Sequence, residues 1–166
     1  MSKAQPNGFS LAQIILHWLV VVLIIMQFLA NGPMQQAWDA LRDGQQPAAD
    51  ILFGANMHAA SGMLILILAL ARLFLRFTRG LPALPSTLAP PLALVAKVTH
   101  FLLYALIIAI PMSGAAAWLG GVAPAAGAHG AMAQLLFFVA IFHAAAALYE
   151  HFIARTDVLK RMLRPQ

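Results

Sequence analysis

The sequence predicts an all-α integral membrane four-helix bundle with both termini cytoplasmic, and three observations carry that expectation. Of the 166 residues, 62% are hydrophobic and only 9% charged, whereas a soluble domain carries about 25% charged residues. The mean hydropathy of +0.83 says the same. The apolar residues gather into four stretches, each long enough for a hydrocarbon core of ~30 Å, which takes about 20 helical residues. Glycine and proline clusters separate the stretches. No ten-residue alternation suggests strands, and lipid offers backbone groups no partner outside a helix or a closed barrel. Residues 1–166 read as a single transmembrane domain.

The spans are expected at approximately 11–30, 52–75, 92–118 and 129–153. Span 1 follows Lys3, and its apolar run continues to Ala30, so it reads as a span rather than a cleaved leader. Asn31-Gly32-Pro33 closes it, and a net acidic connection follows with Asp39, Asp43 and Asp50 against Arg42. Span 2 ends among Arg72, Arg76 and Arg79, before the proline-rich stretch from Gly80 to Pro91. Pro111 lies inside span 3, where membrane helices tolerate a kink. Gly120 to Gly127 is the expected breaker ahead of span 4.

The cations orient the bundle. Lys3, Arg72, Arg76, Arg79, Lys97, Arg155, Lys160, Arg161 and Arg164 fall on one side and Arg42 on the other. The positive-inside rule puts the cation-rich side in the cytoplasm, as expected of a multi-pass protein surrounded by lipid. The formal charge of +5 therefore reads as orientation, and nucleic acid is not an expected partner. With no cysteine, disulfides, thiolate metal sites and thioether-attached cofactors are excluded. No phosphate loop, nucleophile constellation or carboxylate pair appears, so no catalytic residue is assigned.

Histidine placement carries the functional reading. His17, His58, His100, His129 and His143 lie in or at the edge of spans, and His151 near the exit of span 4. A lone histidine in a membrane often does no more than donate an interhelical hydrogen bond. The arrangement argues for more. His129 and His143 are fourteen residues apart, which puts them on one helix face, ~40° from alignment and ~21 Å apart along the axis. His17 lies shallow in span 1 on the cytoplasmic side, and His58 equally shallow in span 2 on the other. Depth thus pairs His17 with His143 and His58 with His129. Two bis-histidine sites stacked through a bilayer suit two haems, each iron taking two axial imidazoles. Gly54, Gly62 and Gly130 lie near these histidines and would let a flat ring approach a helix backbone. A zinc or copper site would need ligands clustered at one depth with carboxylate or sulfur support, and no acidic residue falls in the hydrocarbon zone.

These stretches resemble the bacterial cytochrome b561 family, which is related to the haem b subunits of membrane formate dehydrogenases and nickel–iron hydrogenases. The matching residues are LHWLV around His17, MHAASGM around His58, THFLLYALIIAIPMSG from Thr99 to Gly114, HAAAALYEHF from His143, and LKRML near the end. The resemblance implies a four-helix bundle with two haem b groups, His17, His58, His129 and His143 as axial ligands to the haem iron, and electron exchange with a quinone such as ubiquinone. Some members of the family oxidise superoxide and pass the electrons to ubiquinone. Capture of that anion wants an electropositive approach, which the acidic first connection and the uncharged last one do not supply.

Cytoplasmic-side groups suggest where partners meet the chain. Arg72 and Arg76 are expected to pair with haem propionates, and His100 or His151 to hydrogen-bond a quinone. Glu150 beside His151 offers a proton acceptor, and Trp18 beside His17 an aromatic face for a haem. Trp38 and Trp118 read as interfacial anchors. The chain is thus expected to be a quinone-linked electron-transfer cytochrome b that serves an electron donor the sequence does not identify. An alternative is the membrane anchor of a larger dehydrogenase, with that enzyme or a second copy in a homodimer as partner. A proton- or metal-coupled transporter would need intramembrane acids and internal repeats, which are missing.

Overall fold

The computed structural model describes residues 8–85 and 88–165; Lys3, counted above among the orienting cations, lies outside the described residues. Four long helices run α1 (Leu11–Leu29), α3 (Ala49–Arg79), α4 (Pro90–Trp118) and α5 (Ala123–Phe152), with two short ones, α2 (Gly32–Arg42) and α6 (Val158–Arg161). All four long helices are apolar enough and long enough to cross a membrane. The chain is all-helical among the described residues, as expected of a membrane bundle.

Start and stop signals explain the helix ends. Ser10 and Gln13 form a reciprocal capping box at the head of α1, each side chain serving the other's backbone N–H. The Gln13 amide also donates to the Gly80 carbonyl at 3.2 Å, tying that head to the foot of α3. Gly80 ends α3 with φ 80 and ψ −173, a conformation that only glycine adopts without strain.

Two boundaries differ from expectation because proline starts a helix as readily as it stops one. Pro33, expected as a breaker, opens α2. Pro124 likewise opens α5, so the helix begins six residues ahead of His129 and Gly127 lies within it. The link between α4 and α5 shrinks to residues 119–122. At the other end, α3 outruns its expected span in both directions.

Packing follows chain order, with α3 against α1, α2 and α4, and α4 against α5 in the most extensive contact. Ring contacts between α1 and α5 close the bundle, Phe28 against Phe137 and His17 against His143. The buried core is small: Ala69, Leu106, Ile107 and Leu136 meet at mid-height. Large apolar side chains such as Phe53, Phe74, Phe101 and Phe138 point outward, which suits lipid rather than water. Cohesion between such helices comes from close packing and interhelical hydrogen bonds, since lipid is as apolar as the core. On one side of this core, the termini side, lie the head of α1 and α6; on the other lies α2.

Candidate functional site

The histidines meet in two groups, one on each side of the apolar core. On the α2 side, His58 of α3 and His129 of α5 have ring centroids 6.2 Å apart at 64°. On the termini side, His17 of α1 and His143 of α5 have centroids 6.5 Å apart at 68°. Two imidazoles holding one first-row metal about 2 Å from each donor nitrogen have centroids roughly 6 Å apart. Both spacings accommodate a single ion between the rings. His100 also reaches the termini-side group, but its centroid is only 5.1 Å from that of His143. That is an edge-on ring contact, shorter than the spacing of two ligands on opposite sides of one ion. Among the described residues, no three or more His, Asp or Glu gather to hold a metal, so these pairs suit an ion that takes its remaining ligands from elsewhere.

The ring nitrogens differ in their partners. His129 Nδ1 lies 2.9 Å from the Ile110 carbonyl, and His100 Nδ1 lies 2.6 Å from the Ala96 carbonyl. A carbonyl can only accept, so both Nδ1 atoms carry the proton and both neutral rings keep a lone pair at Nε2. The opposite holds at His17, whose Nδ1 accepts from the Arg72 guanidinium at 2.9 Å. His58 Nδ1 is buried with no hydrogen-bond partner, although its backbone carbonyl accepts from Gln27 and Ser61. An orphaned buried nitrogen of this kind is rare and asks for an explanation.

Among the described residues, cations surround only the termini-side group. The Arg72 and Arg76 guanidinium carbons each stand 5.6 Å from the Tyr104 ring centre. With Phe9, Gln13, Leu81 and Met162 these three residues line a cavity of about 30 Å³. The tail closes over it. Trp18 Nε1 donates to the Met162 carbonyl at 2.8 Å, and Arg161 donates to the Ala83 carbonyl at 2.8 Å. The Trp18 ring also meets His17 edge-on. His151, in the last turn of α5, packs on Phe152, and its buried Nδ1 has no hydrogen-bond partner. Glu150 accepts from the Thr156 hydroxyl.

The glycines singled out by their neighbourhood meet different groups. Added at Gly54, a Cβ would stand 2.6 Å from Pro33, and at Gly62 it would stand 3.2 Å from the Gln27 amide. These glycines seat other parts of the protein, α2 in the first case. Gly130 faces nothing within 4 Å. The glycine that does meet a ring is Gly114 on α4, whose Cβ would stand 2.9 Å from His129 Nδ1. No local pattern marks it, because its partner lies fifteen residues away on the next helix.

On the α2 side, Trp118 Nε1 donates to Asn56 Oδ1 at 3.3 Å. Asp39 and Asp43 lie at the α2 end of the bundle with Arg42, and Asp50 opens α3 there.

Comparison with known proteins gives a consistent result. A sequence profile of prokaryotic cytochrome b561 matches residues 8–165. The chain is 35% identical to cytochrome b562 of Cereibacter sphaeroides, over 98% of this chain and 99% of that one. It is 27% identical to the probable superoxide oxidase CybB of Yersinia pestis, covering 93% and 95% of the two chains. It is 26% identical to cytochrome b561 homolog 1 of Escherichia coli strain K12, covering 95% and 97%.

Proposed function

The chain belongs to the prokaryotic cytochrome b561 family and is a multi-pass bacterial membrane cytochrome b of electron transfer, and on that premise we propose that it holds two haem b groups and exchanges electrons with a quinone. The observation that carries this reading is the pair of ring spacings, 6.5 Å for His17 with His143 and 6.2 Å for His58 with His129. Each haem supplies a one-electron iron couple that the chain's own side chains lack.

The protein's part is positional. Leu106, Ile107 and Leu136 keep water out of the space between the two levels. With a haem held through Nε2 the proton of His17 would sit at Nδ1, where Arg72 could not donate. Arg72 and Arg76 would then be the residues that hold the propionates of a termini-side haem. His100, with its Nε2 lone pair and its ring against His143, is positioned to take a proton from a quinol hydroxyl or return one to a quinone carbonyl. His151, with its unpartnered buried nitrogen, is the second candidate for that contact.

The excess of cations on the termini side supports a cytoplasmic location for both termini in an inner membrane. Asp39, Asp43 and Asp50 on the opposite face favour a neutral or cationic donor over an anionic one.

The test is a redox titration of the purified chain with and without quinol. We expect haem b bands at two haems per chain, reduced on quinol addition. His100→Phe should slow quinol reduction at least tenfold and leave both haems in place. A colourless chain refutes the haem reading, and haems that quinol does not reduce refute the quinone link. If His151→Phe is the slow variant, the contact belongs to His151.

A further inference from the structure

His129 is held by α4 in a way that none of the other three proposed ligands is held. Its Nδ1–H donates to the Ile110 carbonyl at 2.9 Å, and the Ser113 hydroxyl donates to the same oxygen at 2.8 Å. One turn along the same face of α4 is Gly114. A Cβ there would stand 2.9 Å from His129 Nδ1 and 3.0 Å from Cε1, closer than a side-chain carbon tolerates. The ring therefore reaches the Ile110 carbonyl because position 114 has no side chain. The two features share a consequence. The carbonyl fixes the proton at Nδ1, and the open space lets the ring lie where the carbonyl can do so.

We propose that Gly114 and the Ile110 carbonyl form a seat on α4 that locks His129 with its proton at Nδ1 and offers Nε2 to the iron of the α2-side haem. The proposal rests on the reading of His129 as an axial ligand and gives Gly114 the role of a positioning residue. Imidazole ligands commonly donate their second nitrogen to a carbonyl, which orients the ring and raises its basicity as a ligand. His58, across the site, has no such partner at Nδ1, so the seat sets both the angle of one ligand and the electronic character of the pair. A simple α4–α5 packing contact is the competing explanation. It predicts loss of the fold, or of both haems together, when the contact is spoiled.

The experiment uses the full haem-loaded chain in detergent, with haem per chain, the low-spin electron paramagnetic resonance signals and the midpoint potentials as readouts. His129→Ala and His143→Ala first identify which signal belongs to each level. Gly114→Ala should keep two haems per chain and raise the potential of the α2-side haem alone, because a displaced ring donates less well to Ile110. Gly114→Leu should leave one haem, the same one that survives in His129→Ala. Gly127→Ala, on the same helix and facing nothing within 4 Å, should change neither haem.

The seat is refuted if Gly114→Ala leaves both potentials unchanged, or if the Gly114 variants disturb the haem that His143→Ala removes or both haems equally. Should His129→Ala itself retain two haems, the ligand assignment fails and the seat falls with it. Loss of one haem in His129→Ala with no effect at Gly114 rejects the seat alone.

Discussion

The two histidine levels have nearly the same ring spacing and opposite surroundings. On the termini side a guanidinium donates to His17 Nδ1, a second cation stands beside it over Tyr104, and the tail of the chain closes the mouth. On the α2 side no cation stands at the rings among the described residues. His129 donates to a backbone carbonyl, and Gln27 reaches the His58 carbonyl rather than its ring. Spacing decides that a metal fits between two rings, whereas the groups around the rings decide how that metal behaves. A ligand that donates to a carbonyl is more basic and favours oxidised iron, and a nearby cation favours reduced iron. The termini-side haem is therefore expected to have the higher potential, which sends electrons from the α2 side toward the chain ends.

The largest effect expected is the loss of a haem. His17→Ala and His143→Ala should each halve the haem content and leave identical spectra, those of the α2-side haem. His58→Ala and His129→Ala should leave the complementary spectrum. If His17→Ala and His143→Ala remove different haems, the comparison fails at its root.

A smaller effect is expected from charge. At an effective dielectric of ~20, a unit charge about 8 Å from an iron is worth about 2 kcal/mol. Arg72→Leu should lower the termini-side potential by several tens of millivolts and leave the other unchanged, as read in a redox titration. Arg72→Lys should restore part of the difference. An equal fall at both haems would show that the charge acts on the bundle as a whole.

The smallest effect concerns the tail. Arg161 donates to Asp157 at 2.9 Å and to the Ala83 carbonyl at 2.8 Å. The first contact holds the Asp157 carboxyl below the usual carboxylate range. A group so lowered stabilises the tail at pH above its unfolded value and loses that contribution as pH falls through its lowered folded value. As an exposed pair it contributes only a few tenths of a kcal/mol. Limited proteolysis should show the tail loosening at acid pH in the parent chain. Arg161→Ala should be looser at neutral pH, without that acid step, and both haem signals should persist.

The sequence alone determined the four spans, the cation asymmetry and the depth of each histidine. All three follow from local quantities, namely run length, charge counts and the fixed rise and turn of an α-helix. It also implied the family, because the residues around each histidine are distinctive. It did not show α2, since a short helix with a proline at its start reads as a breaker, nor the early start of α5, for the same reason. Tertiary structure alone decided that Gly54 seats Pro33 while Gly114 seats His129, that Arg72 faces His17, and that His100 packs edge-on against His143. Each of these depends on the rotation of one helix about its axis against another. Lipid is indifferent to that rotation, and only close packing and interhelical hydrogen bonds set it.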